Sequence, residues 1–183
     1  RPKRLFYFII TTLMASFILW NPEFGLVCYL SWVATNMYKD VYSAQGKIAW
    51  KQLAFYPVSA FAVACVVLYT YKFLILLIYG TAPDLGAIFS TIIVFSRLGF
   101  GLLPMSLIHP WNIIVLILVS GMLYSMVHLY RKTITNRSII IFLVSLIGIG
   151  YMVYFQGRSH NSNFAMSTGF ALILLTLLGD ELW

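Results

Sequence analysis

Apolar residues run along this chain in long blocks separated by short polar interruptions, and the blocks are too long and too uniformly apolar to read as half-buried strands. A membrane-crossing helix takes roughly 20 apolar residues, fewer where the bilayer thins or protein shields the helix. By that measure the pattern predicts spans at Leu5–Trp20, Phe24–Met37, Leu53–Tyr79, Asn112–Tyr130, Ser138–Phe155 and Phe164–Leu178. The first two are short and meet at Asn21-Pro22-Glu23. Proline cannot continue a helix there, so the pair reads as a hairpin of two short helices.

The block Gly86–Leu107 breaks the series. It carries Arg97 at its centre and is interrupted by Gly99, Gly101 and Pro104. Orientation decides its role, because loops rich in Lys and Arg stay cytoplasmic. Three clusters qualify: Arg1, Lys3 and Arg4; Lys39, Lys47 and Lys51; and Arg131, Lys132 and Arg137. With all three on one side, the chain between Lys51 and Arg131 crosses an even number of times, yet it holds three apolar blocks. Gly86–Leu107 is therefore expected to be a re-entrant or interfacial element on the outer side, where irregular backbone is tolerated if covered. The predicted fold class is all-α: one polytopic transmembrane helix bundle over residues 1–183, with about six spans and that one extra element.

Composition agrees with this reading and sharpens it. Hydrophobic residues make up 61% of the 183 and charged residues 9%, against roughly 25% charged in a soluble domain, and mean hydropathy is +0.90. Nine of the twelve Lys and Arg residues fall in the three clusters, so the net charge of +7 is explained by topology and not by nucleic acid. Cys28 and Cys65 lie inside apolar blocks with no CxxC, which excludes zinc-knuckle and redox-pair chemistry of that type. No Walker loop, GxGxxG, HExxH or GxSxG occurs, and no metal or cofactor is expected. The many aromatics gather at span ends, as an interfacial belt requires. The chain opens Arg1-Pro2-Lys3-Arg4, with neither an initiator methionine nor a signal-cleavage pattern, and is expected to be a fragment or the later part of a longer polypeptide.

The parity argument places Asn21, Glu23, Asp84, Arg97, His109, Arg158, His160 and Asn161 on the outer face. Arg97 within an apolar block is costly unless it meets a partner, a cavity or an anionic ligand. It either pairs with Asp84 or Glu23, or joins Arg158 in clamping a phosphate. Arg158 and His160 either sit in an interfacial loop, with the arginine reaching lipid phosphates, or form an anion site with a bidentate guanidinium and an assisting imidazole. His109, ahead of Trp111, is an interfacial anchor that could join the same site, and Glu23 is a weak candidate for a general base or a sugar-hydroxyl ligand. Lys72 reads as a snorkelling residue, and His128 is assigned no role.

The phrases "LWNPEFGLV" (19–27), "GFGLLPMSLIHPW" (99–111) and "YFQGRSH" (154–160) resemble the later transmembrane part of bacterial GT-C type glycosyltransferases, polytopic enzymes that use polyprenyl-phosphate sugars. The resemblance implies an enzyme of the bacterial plasma membrane and cell envelope that moves a sugar from a lipid-phosphate carrier to an extracytoplasmic acceptor. By parity that is also the side of Glu23 and of Arg97, Arg158, His160 and His109, the candidate ligands of the carrier phosphate. Such enzymes usually carry a catalytic acid in their first outer loop, whereas the only outer acids here are Glu23 and Asp84, so either that acid lies upstream of residue 1 or the chain is a non-catalytic relative. Two other readings stay open: a non-catalytic accessory subunit that packs against other membrane subunits through small residues such as Gly148 and Gly150, and a transporter or flippase part for an anionic lipid.

Overall fold

A computed structural model describes the backbone of residues 2–42, 46–87, 90, 93–94, 109–157 and 161–180, with side chains for all of these but 2–3, 153–157 and 161–163. Every named element in that set is an α-helix: α1 (Pro2–Trp20), α2 (Pro22–Lys39), α3 (Trp50–Tyr79), α4 (Trp111–Tyr130), α5 (Asn136–Gly157) and α6 (Asn161–Gly179). Each contains one of the six blocks predicted from the sequence. Observed bounds reach a few residues further at most ends, for instance Trp50–Gln52 ahead of Leu53 in α3 and Trp111 ahead of Asn112 in α4. Gly86 begins the expected outer element within a helical turn at 85–87, where Asp84 Oδ1 accepts the Gly86 N–H at 2.8 Å; most of the rest of that block lies outside the described residues.

Local chemistry sets the helix ends. Pro22 forbids a helical residue before it, and Asn21 accordingly adopts an extended conformation (φ −140°, ψ 95°). Its Oδ1 then caps α2 by accepting the Phe24 N–H at 3.2 Å, while Glu23 in the first turn and Lys39 in the last both complement the helix dipole. Gly80, in the left-handed region at φ +71°, terminates α3 and donates to Leu76 O at 2.9 Å. Thr135 and Ser138 exchange hydrogen bonds at the start of α5: Thr135 N–H to Ser138 Oγ at 3.0 Å and Ser138 N–H to Thr135 Oγ1 at 3.1 Å. His128 now has a function: its Nδ1 lies 2.9 Å from Thr133 O, and its ring packs on Tyr124, closing the last turn of α4.

The helices pack as two groups of three. Ala15, Ile18, Tyr29, Val33 and Ala60 form the core of α1, α2 and α3, while Ile114, Leu118, Ile141, Ala171 and Leu174 form that of α4, α5 and α6. The groups join mainly through α2 and α5: Tyr38 stacks on Phe142 at 4.4 Å and donates to Ser125 O at 2.8 Å, and Phe24 meets Tyr151 edge-on at 5.3 Å. Several buried polar side chains find hydrogen-bond partners within this framework, as apolar surroundings favour. Tyr29 donates to Ala60 O, Tyr7 donates to Tyr56 O at 3.2 Å, and Trp32 Nε1 donates to Thr11 Oγ1 at 3.0 Å.

Small residues set the helix spacing. A methyl group on Gly25 would lie 2.5 Å from Phe17 O and Ile18 N, so α1 and α2 touch backbone to backbone there. Gly148 faces Leu118 of α4, and Gly150 faces Val27 of α2. Both glycines anticipated as a docking patch for another subunit are thus used inside the chain. The outward surface is correspondingly apolar, with Phe61 73% and Leu116 66% exposed. Two helices, α3 and α4, are long and apolar enough to cross a membrane, and α1, α5 and α6 hold shorter apolar stretches.

Two substitutions test this packing. Gly25→Ala should lower stability by roughly 1–3 kcal/mol, because the obstructing atoms belong to backbone that cannot rotate away. The Ser145 hydroxyl is buried with no hydrogen-bond partner among the described residues, so Ser145→Ala should be neutral or stabilise by up to about 1 kcal/mol. Thermal unfolding of detergent-solubilised protein reads both.

Candidate functional site

Alternation of the six helices gives the bundle two chemically distinct ends. At one end lie the start of α1, the end of α2, the loop to α3, the start of α3, the α4–α5 turn and the end of α6. Lys132 ties two of these together: its Nζ donates to Gly46 O at 3.1 Å and sits 5.3 Å from the Tyr42 ring centroid. Those contacts offset the cost of the left-handed conformation Lys132 itself adopts (φ +56°). Arg137 ties in a third, with its guanidinium donating to Leu177 O and lying 3.5 Å from Asp180. Arg4, Lys39, Lys47, Lys51, Arg131, Lys132 and Arg137 all fall at this end.

Glu23 and His109 occupy the opposite end. Glu23 stands in the first turn of α2, half-buried, next to Phe24, whose ring meets Tyr151 of α5. Tyr151 in turn donates to Met166 Sδ of α6 at 3.1 Å. The His109 ring packs edge-on against Phe164 of α6 at 5.2 Å. Its Nδ1 accepts the Trp111 N–H at 3.3 Å, leaving Nε2 as the proton-bearing nitrogen of the neutral ring. Arg97, Arg158 and His160 lie outside the described residues. The fold thus brings Glu23 and His109 to one end, His109 against Phe164 of α6 and Glu23 beside Phe24, which meets Tyr151 of α5. Asp84, offered above as a partner for Arg97, accepts the Gly86 amide at the turn after α3.

A cavity of about 480 Å³ lies at the basic end, among α1, α2 and α3. Arg4, Lys39 and Lys51 line it, each contributed by a different helix, and Asp40 supplies one opposing charge. The Asp40 carboxylate is already engaged as acceptor for the Tyr56 hydroxyl. Trp32 and Phe55 form aromatic wall, and the Arg4 guanidinium carbon lies 5.9 Å from the centroid of the Phe55 ring. Asn36, buried in the last turns of α2, donates one amide hydrogen to Trp32 O at 2.8 Å.

Sequence reasoning took these three cations for topology signals and missed the cleft. They are separated by 35 and 12 positions, so nothing along the chain pairs them. One local signal was available in Asn36, which sits in an apolar run yet one turn from Lys39 and Asp40. No protein-family model, curated protein or solved structure matches the chain, so any functional reading rests on its own residues and geometry.

Proposed function

We propose that the chain is a membrane-embedded bundle of six crossings, basic end cytoplasmic, forming the transmembrane part of a glycosyltransferase that moves a sugar from a polyprenyl-phosphate carrier to an extracytoplasmic acceptor. The observation that carries the orientation is the gathering of the loop cations at one end, with Glu23 and His109 at the other. Cation-rich loops are retained in the cytoplasm, so the end holding Glu23 and His109 faces outward. The apolar outer surface and the bonding of the Tyr29 and Tyr7 hydroxyls to carbonyls of α3 support embedding in lipid, because a hydrocarbon layer offers no replacement hydrogen bonds.

Sugar transfer is carried by the resemblance of the three phrases quoted above, of which Leu19–Val27 spans the α1–α2 turn that holds Glu23. On this reading His109, Arg97, Arg158 and His160 hold the carrier phosphate, Glu23 orients a hydroxyl, and the catalytic acid is supplied from elsewhere in the full-length protein. Use of Gly148 and Gly150 within the chain removes one motive for the accessory-subunit reading. A lipid-translocating role shares the phosphate-binding step and differs in lacking transfer.

Two experiments bear on these claims. With Cys28 and Cys65 replaced, a membrane-impermeant thiol reagent added to intact cells should label a cysteine at Ser162 and miss one at Thr135; the reverse pattern would invert the orientation. In the full-length protein, Arg158→Ala should weaken binding of polyprenyl phosphate by about tenfold or more, with Arg158→Lys restoring it only in part, since an ammonium keeps the charge and loses the bidentate fork. Equal binding by wild type and both variants would leave that arginine as a membrane anchor. Carrier binding without any sugar transfer would favour translocation.

A further inference from the structure

The cleft at the basic end lies at the opposite pole from the proposed transfer site and needs an occupant of its own. Its chemistry is specific. Three cations from three helices face one cavity against a single carboxylate, and that carboxylate is bound by the Tyr56 hydroxyl. Two of the three helices, α1 and α3, also begin there, so the positive ends of their dipoles outnumber the negative end of α2, which Lys39 faces. The ligand that satisfies this arrangement is an anion small enough for about 480 Å³.

Surroundings narrow the class further. Tyr7, Phe8 and Phe55 form a contiguous aromatic cluster beside the cavity, with ring centroids 5.4 to 6.3 Å apart. Leu5 and Phe6, 64% and 62% exposed, continue the apolar surface along α1. An anion-binding cleft that runs directly into exposed apolar helix surface suits a molecule with a charged head and a hydrocarbon tail. We infer that the cleft formed by Arg4, Lys39 and Lys51 binds the phosphate of an anionic phospholipid headgroup from the basic-side leaflet, with its acyl chains lying against Leu5, Phe6 and Phe8. Basic pockets between membrane helices on the cytoplasmic side recognise lipid headgroups in this way. The Arg4 guanidinium, placed near the Phe55 ring, offers the planar fork, and the two lysines add point charges from the other helices.

This inference rests on membrane embedding and not on sugar transfer. The test is lipid binding by native mass spectrometry of the detergent-purified chain, with short-chain phosphatidylglycerol, phosphatidylcholine of equal chain length and soluble glycerol 1-phosphate as the three probes. Wild type should prefer phosphatidylglycerol to phosphatidylcholine, and Lys39→Gln with Lys51→Gln should weaken phosphatidylglycerol by about twenty-five-fold, at about fivefold per charge. Lys47→Gln with Arg131→Gln removes the same charge from the same end outside the cleft and should leave binding within about twofold of wild type. Asp40→Asn removes the opposing charge while keeping an acceptor for Tyr56, and should tighten binding by about fivefold, a gain that misfolding cannot mimic. Equal losses in the two double variants, no tightening in Asp40→Asn, or equal affinity for phosphatidylcholine would overturn the proposal. Glycerol 1-phosphate binding as tightly as the lipid would also overturn it and identify a soluble phosphate ester as the ligand. Thiol labelling at Ser162 and Thr135 reports embedding separately, so failure of that reading is distinguishable from failure of the cleft.

Discussion

Backbone contact between α1 and α2 at Gly25 is the constraint on which the arrangement depends. Pro22 breaks the chain after Asn21, the Asn21 side chain restarts it, and one turn later the missing side chain at position 25 lets the new helix lie directly on Phe17 and Ile18. Any longer turn or larger residue would swing α2 away. With α2 held there, Tyr29 reaches the Ala60 carbonyl of α3 and Tyr38 reaches the Ser125 carbonyl of α4. One helix thereby fixes both three-helix groups, using two tyrosine hydroxyls whose alternative in an apolar medium is an unmet hydrogen bond.

The same helix shows how an apolar bundle tolerates polar residues. Thr35 donates to Ser31 O at 2.7 Å, Asn36 to Trp32 O at 2.8 Å, and in α1 Thr11 donates to Tyr7 O at 2.6 Å. Each spends its donor on a carbonyl one turn back in its own helix, so burial costs little and binds no neighbour. Trp32 is the exception, crossing to Thr11 Oγ1. Interhelical specificity at this end therefore comes from aromatic side chains and from glycine spacing more than from small hydroxyls.

Much of the helix map was legible because it depends on features local in sequence: apolar blocks long enough for helices, a proline between α1 and α2, and glycine after α3. Even the turn chemistry at Asn21 could be read from three letters. What the sequence did not disclose depends on distant residues meeting. Gly148 and Gly150 looked like one small patch, but two positions along a helix are turned about 200° apart, so they serve α4 and α2 separately. The cleft escaped for the same reason, since Arg4, Lys39 and Lys51 become neighbours only after α1, α2 and α3 pack. His128, dismissed from sequence, turned out to close a helix end because its partner at Thr133 lies in a turn whose geometry no periodicity encodes.

Lys72 stands outside the three basic clusters, and the length of α3 accounts for it. At about 1.5 Å per residue the 30-residue α3 is about 45 Å long and the 19-residue α1 about 28 Å. Both start at the basic end and are pinned side by side there, with Tyr7 bonded to Tyr56 O. Trp20 stands thirteen positions beyond Tyr7, which brings its level to Tyr69 on α3. Lys72 therefore sits past the far rim of the α1–α2 hairpin, about one turn above it, and its ammonium need not be buried within the packed layer. Helices that exceed the hydrocarbon thickness tilt or extend into the headgroup region, and a lysine near the overhanging end can reach that region with its flexible stem. On the proposed orientation, this exception to the charge rule follows from a mismatch in helix length that the first three elements impose on one another.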